Sequence, residues 1–121
     1  MPIAADILEA LRLELRRGTL ILAVLGTLRA EQYGYSLKTR LGEAGVEIDE
    51  GALYPMLRRL ETQGLLVSEW REEGKRKKRF YRLSDDGAAA LAQLTAEWRA
   101  MNGALETILP EHGLKKKEGG Q

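Results

Sequence analysis

At 121 residues, 44% of them hydrophobic and 31% charged, the chain has the size and balance of one globular domain and reads neither as disordered nor as fibrous. It has no cysteine and a single histidine, His112, which excludes disulfides, thiolate metal sites and cysteine nucleophiles and argues against a histidine metal cluster or a Ser-His-Asp triad. The net charge of +1 hides an asymmetry: seven basic and two acidic residues between Arg71 and Arg82 give that segment +5 and leave −4 for the rest.

Ile7, Leu8, Leu11 and Leu15 recur at helical spacing, and Arg16-Arg17-Gly18 reads as a stop, so a first amphipathic helix is expected over residues 4–17. Thr19 can cap a second helix through Ala30, apolar on several sides and therefore core. Tyr33-Gly34-Tyr35-Ser36 breaks the pattern, with Ser36 as N-cap of a third helix over Leu37 to Ala44. After a short apolar link, Asp49 is placed to cap a fourth helix carrying Leu53, Met56, Leu57 and Leu60 and closed by Gly64. The period then changes from 3.6 to 2. Leu65 to Trp70 and Phe80 to Leu83 form two β-prone runs joined by a charged loop with Gly74, which predicts a hairpin with the basic cluster at its tip. Ser84-Asp85-Asp86 opens a long helix in which Leu91, Leu94, Trp98, Met101, Leu105 and Ile108 make a heptad seam. Pro110 ends it, and Lys115 to Gln121 read as a polar, disordered tail.

No apolar run approaches the roughly 20 residues of a membrane span, and the N-terminus lacks the basic and apolar regions of a signal peptide. A cytoplasmic protein with no membrane contact is expected. The order of elements predicts a mainly α fold with a small β-hairpin, a winged helix-turn-helix flanked by N- and C-terminal dimerisation helices. The expected organisation is a single domain over 1–121: the N-terminal helix over 4–17, the winged helix-turn-helix over 18–83, the dimerisation helix over 84–109 and the tail over 110–121. The fourth helix would lie in a major groove and the hairpin against phosphates. The heptad stripe, too large for one small domain to cover, calls for a second copy.

The run from Gly51 to Glu61, centred on Leu53-Tyr54-Pro55 and followed by Gly64-Leu65-Leu66, resembles the recognition-helix signature of the PadR-like transcriptional regulators. Gly18-Thr19-Leu20 with Tyr33-Gly34-Tyr35 fits the start of that family, and Gly74 to Ser84 with Gly87 fits its wing and exit. Ala52 stands where the family commonly has Thr. The resemblance covers roughly residues 18–88, and the lone C-terminal helix is similar to the short subgroup. It implies a dimeric repressor of double-stranded DNA. It also implies a sensor role, because drug-sensing members carry a Trp near this place in the last helix, where two indoles flank a flat aromatic ligand between subunits.

The candidate DNA contacts follow. Tyr35, Ser36 and Lys38 stand at the start of the third helix, where such groups hold phosphate or merely cap. Glu50, Gly51, Ala52, Tyr54, Pro55 and Arg58 lie on the fourth. Tyr54 either reaches a phosphate or sugar or is a half-buried support. Pro55 either kinks the helix or aims its first turn. Arg58 and Arg59 point about 100° apart, so one faces DNA, with Arg58 favoured, while the other pairs with Glu61 or Glu50. Lys75, Arg76, Lys77 and Lys78 form the wing cluster, whose plain alternative is a solvated loop. Ile7, Leu8, Leu11, Leu94, Trp98 and Met101 are expected to line a pocket for a planar hydrophobic molecule at the seam; the plain alternative for Trp98 is core. No metal site and no cofactor is implied, and no positioned acid, base or nucleophile points to an enzyme. Two other functions are consistent with the same elements: a small-molecule binder that no longer binds DNA, and a protein-interaction module docking through the heptad helix. Neither needs +5 on a hairpin.

Overall fold

The computed structural model describes residues 2–110. Seven elements follow in order: α1 (Ala5–Thr27), β1 (Gln32–Tyr33), α2 (Gly34–Glu43), α3 (Glu50–Thr62), β2 (Leu66–Glu73), β3 (Arg76–Leu83) and α4 (Asp85–Ile108). The three strands make one antiparallel sheet in the order β1-β3-β2.

The two helices expected before Ala30 are one. Gly18 sits inside α1 with open space around it, and a glycine in a helix costs about 1 kcal/mol against alanine, too little to break a run of strong helix formers. Thr19 caps nothing; its hydroxyl donates to the carbonyl of Arg16, 2.9 Å away. The helix stops after Thr27, where the Arg29 side chain donates back to the Gly26 carbonyl. β1 has no local signal in the sequence. Its two residues pair with Phe80 and Tyr81 of β3, and α2 starts directly from it, earlier than expected. Ser36 is therefore the third residue of α2 rather than its cap: its hydroxyl accepts from the Tyr33 N–H and donates to the Tyr33 carbonyl.

The starts of α3 and α4 follow the sequence signals. Asp49 caps α3 by accepting from the Ala52 N–H at 2.9 Å, and Ser84 caps α4 by accepting from Gly87 at 2.9 Å. Both α2 and α3 end in a left-handed glycine, Gly45 and Gly64. In each, the second residue past the cap bonds the carbonyl five back, Val46 to Leu41 and Leu65 to Leu60, the Schellman closure. Pro55 lies within α3. Lys115 to Gln121 and His112 lie outside the described residues.

The core joins every layer: Val24 and Leu25 from α1 with Leu28 at its C-cap, Leu37 and Leu41 from α2, Leu53, Leu57 and Leu60 from α3, and Leu66 and Tyr81 from the sheet. Leu91 of α4 packs against it. Part of the expected seam therefore turns inward at its first position. Gly87 is pressed onto the Leu65 carbonyl, where any Cβ would overlap the oxygen. That approach fixes the angle at which α4 leaves the sheet. Among the described residues no helix is long and apolar enough to cross a membrane.

Candidate nucleic-acid interface

Leu53, Leu57 and Leu60 anchor one side of α3, and their spacing turns Gly51, Ala52, Pro55, Arg58 and Arg59 outward. Glu50, also exposed, pairs with Lys38 of α2 at 3.7 Å, so the starts of the two helices are linked across the turn. Tyr35 is 70% exposed, and Ser36 is half-buried beside it. Tyr54 is half-buried against the core. Its ring lies over the first residue of α2, where a Cβ on Gly34 would meet Tyr54 Cε1 at 2.7 Å and collide with the hydroxyl.

The hairpin differs from expectation. Its strands run to Glu73 and from Arg76, leaving only Gly74 and Lys75 in the turn, with Gly74 at φ +65°. Apart from Lys75, the basic cluster is thus on β3 and not at the tip. Glu72-Glu73 and Arg76-Lys77-Lys78 have the low β propensity of a charged loop, but they pair in register, Glu72 with Lys77 and Glu73 with Arg76, which favours the ladder. Alternation along β3 sorts the cations. Lys78 lies 4.3 Å from the centroid of the Tyr33 ring and pairs with Glu73 at 3.1 Å; this carboxylate raises the Lys78 pKa. Arg71, opposite Lys78, stacks over Phe80 and forks onto Glu31, and its bond to Glu69 lowers that carboxyl's pKa.

On the other face, Arg79 is tied to α3. Its Nε donates to Ser68 Oγ at 2.9 Å and its Nη2 to Glu61 at 3.2 Å, while Ser68 donates to Glu61 at 2.6 Å. This three-residue lock sets the hairpin against α3. Sequence reasoning misses it, since it exists only once β2 and β3 are in register. It also corrects the expected pairing of Arg59 with Glu61 or Glu50: those acids are held by Arg79 and Lys38. Among the described residues Arg58, Lys75, Arg76 and Lys77 make no ion pair. Arg58 lines a cleft of about 320 Å³ between α3 and the hairpin, together with Tyr33, Gly34, Tyr54, Trp70, Lys78, Arg79 and Tyr81. Burial raises the Tyr81 phenol above its usual pKa, so it stays protonated. Among the described residues no group of His, Asp and Glu could hold a metal ion.

The second expected site is a groove of about 530 Å³ between α1 and α4, lined by Leu94, Trp98, Met101 and Leu105 on one side and by Leu15, Ile21 and Leu22 on the other, with Glu14 and Glu97 also in the lining. Ile7, Leu8 and Leu11 do not line it within one chain. Because α1 is unbroken, the residues facing Trp98 fall one turn or more later along the helix. Around the side of α1 from this groove, Arg16 donates to the Glu47 carbonyl, ahead of the Asp49 cap.

A helix pair, α2 and α3, packed on a third helix and followed by a two-stranded wing defines a winged helix-turn-helix protein. The PadR-like family of transcriptional regulators matches residues 21–93, more than half of the chain, and the chain belongs to that family. Transcriptional regulator Rv3488 of Mycobacterium tuberculosis is 44% identical over 63 residues, 52% of this chain and 59% of that protein, so the match spans less than two thirds of that relative. The PadR family transcriptional regulator from Eggerthella lenta superposes with a TM-score of 0.79 at 41% identity, over 88% of this chain and 96% of that one. A Streptococcus transcriptional regulator gives 0.71 at 27% identity, over 78% and 96%.

The packing of Gly34 against Tyr54 has a direct test. Gly34→Ala should lower stability by about 1–3 kcal/mol through overpacking, read by urea denaturation. In a Tyr54→Ala background the same change should cost little. Additive costs in the double-mutant cycle would contradict the packing.

Proposed function

We propose that this chain is a dimeric, sequence-specific DNA-binding repressor and not an enzyme. The observation that carries the reading is a group of cations without acid partners on α3 and the wing that flank one cleft: Arg58, Lys75, Arg76 and Lys77, with Arg59 and Arg82 also unpaired among the described residues. Opposed charge inside the protein neutralises Lys78, Arg71 and Arg79, whereas the unpaired cations are left for an outside anion. The capped first turn of α3 carries small exposed residues, Gly51 and Ala52, which allow close approach to base edges in a groove about 12 Å wide. Tyr35, Ser36, Lys38 and Tyr54 would hold the adjoining backbone, with Glu50 restraining Lys38 and Pro55 bordering the reading surface. Neutralising Lys75, Arg76 and Lys77 together should weaken binding to all duplexes alike. It should also flatten the slope of log affinity against log salt by up to about 0.9 for each phosphate left without its cation. An unchanged slope would reduce the wing cluster to a solvated strand.

Dimerisation is supported by the apolar surface that one chain leaves open. Trp98, Met101, Leu105 and Ile108 on α4 and Ile7, Leu11 and Leu15 on α1 are all exposed, a patch of the kind that marks an interface. Two-fold pairing through these helices would present two α3 helices to half-sites about 34 Å apart. Sedimentation should give a dimer of the 13.5 kDa chain at micromolar concentration, and Leu94→Ala with Leu105→Ala should shift it toward monomer. A wild-type monomer would refute the dimer.

The groove around Trp98 supports a sensor role as well. Its walls are mostly aliphatic and aromatic, with Glu14 and Glu97 beside them, and a planar hydrophobic molecule fits the stacking surface that the indole offers. Such a ligand releases DNA only if it binds the non-DNA arrangement better, and a tenfold release needs a differential of about 1.4 kcal/mol. Flat aromatic dyes should bind wild-type protein with micromolar Kd by dye anisotropy, and Trp98→Ala should abolish that binding. Dye binding that survives this substitution would place the pocket elsewhere.

A further inference from the structure

Trp70 is left over by an ionic account of the hairpin. It is 61% exposed, on a strand whose neighbours Glu69, Arg71 and Glu72 are all charged. Leaving so much apolar surface in water forgoes about 25 cal/mol for each Å² that burial would remove. The side chain is nevertheless held in place. The hairpin register sets it directly opposite Arg79, whose guanidinium lies 5.5 Å from the ring centroid. Arg79 is itself fixed by Ser68 and Glu61. Its charge is met inside the protein, and it acts as a brace for the indole. The open surface of the ring lines the cleft that also holds Tyr54 and Arg58.

A nucleic-acid strand alternates an anionic phosphate with a sugar that is largely C–H surface, and the cleft alternates in the same way, with an unpaired guanidinium beside an exposed ring. We infer that Trp70 is a DNA-backbone contact: its indole packs on the deoxyribose of the strand that enters the cleft, while Arg58 takes the adjoining phosphate. The inference rests on the reading of α3 and the wing as the DNA-binding surface and adds a non-ionic contact to it. Such a contact touches no base edge and displaces no counterion. It strengthens binding to every duplex without adding to the salt dependence.

The chain has two tryptophans, so ¹⁵N-labelled wild-type protein gives two indole N–H resonances, and the one missing from Trp70→Phe belongs to Trp70. On titration with a mixed-sequence duplex of about three helical turns at low salt, with binding followed by anisotropy of an end label, the Trp70 resonance should shift in step with binding. Trp70→Ala should weaken duplex affinity about tenfold with the salt slope unaltered, and Trp70→Phe should recover most of the affinity. A Trp70 resonance unmoved at saturating duplex overturns the inference. Weakened affinity that comes with a flattened slope overturns it too, because the effect then runs through a charge. If the wild-type protein binds no duplex at all, the DNA reading itself falls and the inference with it, so the two failures are told apart by the anisotropy arm alone.

Discussion

Eight leucines, one valine and one tyrosine, drawn from three helices, the cap of α1 and two strands, meet in a single buried cluster, and the outward faces of α2, α3 and the sheet are set by it. Three of those leucines lie on α3, and they decide which of its residues are left facing outward. The cluster is almost wholly aliphatic, so its geometry comes mainly from close packing and from the turns that feed it. Two of these turns are the same device used twice: a left-handed glycine reverses the chain after α2 and again after α3 and returns an apolar residue, Val46 or Leu65, toward the core.

Charge is distributed on a second principle. Seven cations fall within twelve residues of the hairpin region, yet they do not act together. Arg71, Lys78 and Arg79 are consumed by Glu31, Glu73 and Glu61, and their work is structural: they hold the loop before β1, the hairpin itself and the junction with α3. Those pairs are partly exposed and individually weak. Their effect lies in orientation, since the bonds of Arg79 to Ser68 and Glu61 leave the hairpin little freedom to swing away from α3. The unpaired Arg76 and Lys77 are thereby presented on a paired strand instead of a loop.

Much of this is legible in the sequence where a signal is local and chemical. Asp49 and Ser84 announce their caps, Gly64 its turn, and Leu53, Leu57 and Leu60 the buried side of α3. The misreadings share one cause, which is that distant parts of the chain override a local signal. Arg16-Arg17-Gly18 has the form of a helix end, but the groove against α4 and the core beyond it reward an unbroken α1. Gln32 and Tyr33 are too short to register as a strand and become one only because β3 passes alongside. The charges of the wing resemble loop until their cross-strand register pairs them. The lining opposite Trp98 moves from Ile7, Leu8 and Leu11 to Leu15, Ile21 and Leu22 for the same reason, because a continuous helix carries its face further along. Of the residues expected at a DNA site, Tyr54, Arg58 and Lys78 line one cleft, and the charge of Lys78 is met by Glu73.

An unbroken α1 has a mechanical consequence. Its 23 residues make one continuous rod of about 34 Å. Leu15, Gly18 and Thr19 border the groove at Trp98, and between them Arg16 grips the carbonyl of Glu47 at 2.6 Å, two residues ahead of the cap of α3. Load applied at the groove and load applied at the head of α3 therefore bear on the same turn of one stiff member. Any displacement of that turn meets both contacts, the groove wall and the Glu47 carbonyl.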